Sequence, residues 1–111
     1  MSVETPEKNK ERNFRELLEA RWEKGFFTCV GLDIDPDHEK FPAHLLEQCH
    51  NTADEDAGKA KAMEMFGCII ADTTHEHVCA YKPNSAFFEA QGPAGVQALH
   101  AIVRYIKEKY F

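Results

Sequence analysis

Hydrophobic positions recur at two different periods along this chain, and the switching between them lays out a sequence of elements. Asn13 precedes Phe14, Leu17, Leu18, Arg21 and Trp22, an i, i+3, i+4, i+7, i+8 set that predicts a short helix with one apolar stripe, stopped by Gly25. From Phe26 to Leu32 the residues are almost continuously apolar, which predicts a strand buried on both faces, as in a parallel sheet. Pro42 opens a short helical turn through Leu46. A long helix is predicted from about Asp54 to Thr74, with Thr52 and Glu55 spaced as a capping box. Within it Ala57, Lys61, Met65, Cys68 and Ile69 fall near one side, an amphipathic pattern that is not clean. His77 to Lys82 reads as a second strand and Ser85 to Ala90 as one or two helical turns. Gly92-Pro93 breaks the chain before a last helix carrying Val96, Leu99, Ile102, Val103, Ile106 and Tyr110 at helical spacing, with Arg104, Lys107 and Lys109 outward.

The order helix, strand, helix, strand, helix predicts two parallel strands, because a long helix between two strands is the crossover unit of parallel sheets. Two strands leave two unpaired edges and too little sheet for three helices. The expected fold class is therefore α/β, with residues 13–111 forming the opening portion of a larger protein. Residues 1–12 read as a polar, flexible leader, since charged and polar side chains there show no apolar period.

Composition narrows the function classes. The 111 residues suffice for one modest domain. A net charge of −6 without a basic cluster argues against nucleic-acid binding. No apolar run approaches the ~20 residues that span a bilayer, and no signal pattern opens the chain, so a cytoplasmic protein with no membrane partner is expected. Cys29, Cys49, Cys68 and Cys79 match neither a zinc spacing nor a disulfide framework, and reduced core thiols are expected.

The candidate chemistry lies where the two apolar runs stop. Thr28-Cys29-Val30-Gly31-Leu32 leads into Asp33-Ile34-Asp35-Pro36, and His77-Val78-Cys79-Ala80-Tyr81 leads into Lys82-Pro83-Asn84. Each proline favours an extended residue before it and halts a strand ladder, which puts an acid and a base at carboxyl ends of two strands. By alternation Asp33 shares a face with Gly31, Cys29 and Phe27, and Lys82 shares one with Ala80 and Val78, mostly small residues that leave room for a ligand. The plainer alternatives are aspartates that cap the loop or start an Asx-turn, and a lysine snorkelling on the rim. A competing set is His75, His77 and Cys79, which alternation would bring to one side as metal ligands in a small metal-binding or interaction module. No glycine-rich phosphate loop or Gly-x-Ser-x-Gly occurs.

Cys29-Val30-Gly31-Leu32-Asp33-x-Asp35-Pro36, followed by Cys79-Ala80-Tyr81-Lys82-Pro83-Asn84-Ser85-Ala86-Phe87-Phe88-Glu89 and Gly92-Pro93-x-Gly95, closely resembles orotidine 5′-phosphate decarboxylase, in the branch with a Lys-Pro-Asn-x-x-Phe-Phe-Glu signature. The likeness runs from about Phe14 to Phe111. It implies the first two strand–helix units of a (β/α)₈ barrel, with the site at the carboxyl ends of the strands. It further implies conversion of orotidine 5′-monophosphate to uridine 5′-monophosphate and carbon dioxide in pyrimidine biosynthesis, with no metal or organic cofactor and, at full length, a homodimer. By motif Asp33 matches the aspartate that bonds the substrate ribose, and Lys82 the first lysine of a Lys-Asp-Lys-Asp array, catalytic and ribose-contacting. Asp35 and Asn84 are weaker substrate-binding candidates. The Asp-x-Lys-x-x-Asp motif that completes the array on a third strand is not found here, so the isolated stretch is expected to be inactive.

Overall fold

A computed structural model describes residues 13–50 and 54–111. The elements run α1 (Phe14–Glu23), β1 (Thr28–Leu32), α2 (Ala43–Cys49), α3 (Glu55–Thr74), β2 (Val78–Pro83), α4 (Ser85–Glu89) and α5 (Gly92–Lys109). The expected leader at 1–12 and Thr52 of the expected capping box lie outside the described residues. Asp54 fills the N-cap of α3 instead, its side chain accepting from the Asp56 amide.

Local chemistry sets the boundaries of α1. The Asn13 side chain accepts from the Glu16 amide at 3.1 Å. At the other end Gly25, at φ +90°, closes a Schellman motif: its amide donates to the Trp22 carbonyl and the Phe26 amide to Arg21. The apolar stripe expected on this helix is present in sequence but not buried, for no residue of α1 is buried and Trp22 is 42% exposed.

β1 and β2 form a two-stranded parallel sheet, paired Cys29 to Ala80, Val30 to Tyr81, Gly31 to Lys82 and Leu32 to Pro83. One face of it meets the core. Leu32 is fully buried, and Val30 and Tyr81 pack against a cluster made by Ile34, Phe41, Leu45, Met63, Phe88, Ile102 and Ile106. The Tyr81 hydroxyl fixes this orientation by bonding to Thr74 Oγ1 at 2.6 Å and donating to the Ala71 carbonyl at 3.3 Å, both at the end of α3. Burial of β1 on both faces, as its apolar run predicts, does not hold. Thr28, Cys29 and Gly31 are exposed, because no element among the described residues covers that side. The expected core cysteines are corrected likewise: Cys49 is buried, Cys68 and Cys79 are half-buried, Cys29 is exposed, and no disulfide joins any two of them.

α3 and α5 supply the helical layer. The inward side of α3 is Ala60, Met63, Gly67 and Ala71, spaced three or four apart, and not the set from Ala57 to Ile69 that the sequence suggested. Small residues hide an inward face from a hydrophobicity count while allowing close approach; a Cβ on Gly67 would lie 2.5 Å from Ile102 Cδ1. Gly95 is tighter still, since a Cβ there would sit 1.9 Å from the Phe88 carbonyl oxygen, at the corner where α4 turns into α5. In α5 the expected pattern holds, with Ile102 and Ile106 buried and Arg104 and Lys107 exposed.

Two polar ties lock the helix ends. The Arg21 guanidinium donates to the carbonyls of His75 at 2.9 Å, Val78 at 3.2 Å and Tyr110 at 3.2 Å, and lies 4.1 Å from the Phe111 ring centre. It thereby meets orphan carbonyls at the carboxyl ends of α3 and α5 together. Asp72 accepts from the hydroxyls of Tyr105 and Tyr110 and pairs with Lys109 at 3.5 Å.

Gly67→Ala and Gly95→Ala should each lower stability by about 1–3 kcal/mol, although alanine favours helix, because the added methyl group has nowhere to go. Urea midpoints check this; a rise at either position would show that the neighbouring chain gives way freely. The hydrogen bonds from Tyr110 and Tyr105 hold the Asp72 carboxyl below its ordinary range. A depressed carboxyl contributes stability in full above its unfolded pKa of about 4 and loses it as pH falls through the folded value. Asp72→Asn is thus expected to weaken the protein at pH 7 and to flatten its loss of stability on acidification below about pH 4. Parallel urea-midpoint profiles for parent and variant would dismiss the carboxylate as a source of that dependence.

Candidate functional site

The carboxyl ends of β1 and β2 lie side by side, and the ladder continues past the strands through the Asn84 amide, which donates to the Leu32 carbonyl at 3.3 Å. Burial alternates beyond the end of β1: Leu32 is buried, Asp33 exposed, Ile34 buried. Asp33 therefore stays on the same side as Gly31. Gly31 pairs with Lys82, which is exposed between half-buried Tyr81 and Pro83. Acid and base accordingly rise from one face of the sheet, the face opposite the helices, with Cys29, Gly31 and Ala80 behind them. No hydrogen bond or ion pair joins Asp33 to Lys82 among the described residues.

The loop after β1 is built by its own side chains. Asp35 Oδ1 accepts from the Asp37 amide at 3.0 Å, an Asx-turn beside Pro36, and the His38 amide donates to the Asp35 carbonyl. His38 Nδ1 in turn accepts from the Lys40 amide, and Phe41 drops into the core edge-on to Phe66, with ring centres 5.2 Å apart. Lys59 on α3 ties the loop from outside, donating to Asp37 Oδ1 at 2.8 Å, a bond that raises the lysine's affinity for its proton. At the next turn Asn84 caps α4, its side chain accepting from the Ala86 amide at 3.2 Å. Asp35 and Asn84 thus each perform the local structural task open to such residues.

A shallow cavity of about 370 Å³ opens at this end of the sheet. Asp33 and Asp35 form one wall with His38 and Lys40, while Phe41, Phe66 and Phe87 supply apolar surface. Lys82 stands outside that wall, on the open sheet face. The sequence pattern singles out neither His38 nor Lys40. Their nearness to Asp33 in the chain was a usable signal, whereas Phe66 arrives from the middle of α3 and carried none.

The competing metal constellation is not assembled. Among the described residues no group of three histidine, cysteine, aspartate or glutamate side chains could hold a metal ion. His75 caps α3 and His77 lies in the turn before β2, so neither joins the strand alternation that would have aligned them with Cys79. Its ring stacks on Tyr110 at 3.8 Å between centres.

What fold and site define is the class: a small α/β unit with, among the described residues, two parallel strands and five helices, bearing opposite charges above small residues at its strand ends. No family model matches the chain, and no solved structure matches it. Among curated proteins the chain is similar to orotidine 5′-phosphate decarboxylases. That of Flavobacterium johnsoniae is 43% identical over 96 residues, covering 86% of this chain and 30% of the relative. Those of Phocaeicola vulgatus and Parabacteroides distasonis are 41% and 39% identical over 98 residues, 88% of this chain in each case, and 31% and 30% of the relatives. The chain spans about 30% of the length of the curated relatives it matches.

Lys59→Ala is expected to cost under about 1 kcal/mol of global stability, as a solvent-facing pair should, while speeding amide exchange in residues 35–41 several-fold. Unchanged exchange would mean that the Asx-turn and Phe41 hold the loop unaided.

Proposed function

We propose that this chain forms the first two strand–helix units of an orotidine 5′-phosphate decarboxylase barrel, and that Asp33 and Lys82 belong to its substrate-positioning machinery. The observation that carries the reading is the register that pairs Gly31 with Lys82 and leaves Asp33 one alternation step further along the same face. Identity near 40% with enzymes of that name supports it. In this reading Asp33 accepts from ribose hydroxyls of orotidine 5′-monophosphate. Lys82 bonds the ribose from the neighbouring strand and orients an aspartate contributed by a third one. Asp35 and Asn84 hold the two rims in shape and stand closest to the substrate after them.

Loss of carbon dioxide from the pyrimidine leaves negative charge on a ring carbon, and fixed charges already in place at that carbon lower the barrier most. Ribose and phosphate contacts, remote from the reacting bond, supply binding energy that is expressed in the transition state. Asp33 and Lys82 act in this second way, through position, and need no metal or organic cofactor. The full-length protein is a cytoplasmic homodimer in this reading, and the 111-residue chain alone does not turn over substrate.

A covalent fusion tests it: residues 13–111 of this chain joined to the remaining chain of the Flavobacterium johnsoniae relative. The fusion should release carbon dioxide from orotidine 5′-monophosphate. Asp33→Asn and Lys82→Ala should each lower kcat/KM by about 10- to 150-fold, the value of a charged hydrogen bond, with unchanged thermal midpoints because both side chains are exposed. A folded fusion without turnover, or turnover by the 111-residue chain itself, would overturn the assignment.

A further inference from the structure

The loop that carries Asp35, His38 and Lys40 along the wall of the smaller cavity is anchored by burial at both ends, through Ile34 on one side and Phe41 on the other. Between those anchors Asp37, His38, Glu39 and Lys40 are exposed. The bonds within this stretch are local: the Asp37 amide donates to Asp35 Oδ1, the His38 amide to the Asp35 carbonyl, and the Lys40 amide to His38 Nδ1. Bonds of that range fix the shape of a turn and leave its placement over the cavity free. Among the described residues one side chain from outside bonds to residues 35–40. It is Lys59, whose Nζ donates to Asp37 Oδ1 at 2.8 Å.

The place of Lys59 on α3 gives this contact leverage. Phe66, which meets the Phe41 ring, stands seven residues further along the same helix, two turns away and on the same side. α3 therefore grips the loop at two points, an aromatic one at its exit and an ionic one at its tip. Lys59 is itself braced, since Glu55 one turn earlier lies 3.5 Å from its Nζ and only 26% of its side chain is exposed. Placement of the loop, and not neutralisation of a carboxylate, is what the pair supplies. Asp37 is 58% exposed, and solvent screens a charge so placed.

We propose that Lys59 is a positioning residue of the nucleotide site: acting through Asp37, it sets where Asp35, His38 and Lys40 stand over the cavity, and so how a bound nucleotide is held. Loops at the carboxyl ends of strands build the site in a barrel of this kind, and a site works only when its supporting shell holds it in place. The proposal rests on the decarboxylase reading for the identity of the nucleotide, orotidine 5′-monophosphate, and on the loop geometry for the rest.

The test uses the covalent fusion of residues 13–111 with the remaining chain of the Flavobacterium johnsoniae relative. Lys59→Met should lower kcat/KM about three- to tenfold, mostly through KM, while the thermal midpoint falls by less than about 3 °C. Lys59→Arg, which still donates to Asp37, should restore most of that loss. Asp37→Ala should reproduce it, and the double variant should be no worse than either single one. Full activity in Lys59→Met, or a loss that accompanies a larger fall in thermal midpoint, would overturn the proposal. So would an Asp37→Ala fusion at least as active as its parent, which would make the charge of the carboxylate the operative feature, and so would losses that add in the double variant. In each of these cases the parent fusion still decarboxylates substrate and the enzyme reading stands. A folded parent fusion without turnover would instead remove the enzyme reading, and the positioning role with it.

Discussion

The pairing of Gly31 with Lys82 in a parallel ladder is the constraint from which the candidate site follows. In a parallel pair, matched residues share a face, so one register decides at once which side chains meet the core and which meet solvent. Slipping it by one residue would send Lys82 into the helices and bring Tyr81 out. Tyr81 resists that slip, since its ring packs on the core and its hydroxyl is bonded to the end of α3. A residue with no part in the chemistry thus aims the one beside it.

Behind the ladder, close packing carries the fold. α3 approaches α5 through Gly67 and small neighbours, and α4 folds onto α5 through Gly95. Arg21 then gathers carbonyls from the C-caps of α3 and α5 and from the first residue of β2, placing two carboxyl-terminal helix ends under one cation. The result is one-sided: the helical face of the sheet is well packed, while the face with Cys29 and Gly31 is uncovered among the described residues. A two-stranded sheet is marginal by itself, so its order here depends on the helices and on these ties.

Much of this was legible along the chain. The strand ends just before Asp33 and at Pro83, the stop at Gly25, the parallel order and the inward positions of α5 all follow from short-range rules, because prolines, caps and a strong helical period act within a few residues. The inward face of α3 was misread, because alanine and glycine mark contact by what they permit and add little hydrophobic signal. His75, His77 and Cys79 look like ligands on paper only while the strand alternation is carried back through both histidines, which lie in the turn after α3.

By itself the sequence determined the two charged strand ends, their small-residue backing, and the likeness to decarboxylases of about three times this length. Only the tertiary structure decided that Asp33 and Lys82 share a face, that His38 and Lys40 join Asp33 around a cavity with Phe66, and that Arg21 ties α1 to β2 and to the ends of α3 and α5. The physical reason is range. Backbone preferences and periodicity are set by near neighbours, whereas register, helix approach and cavities are set by contacts between residues far apart in the chain, whose partners no local pattern names.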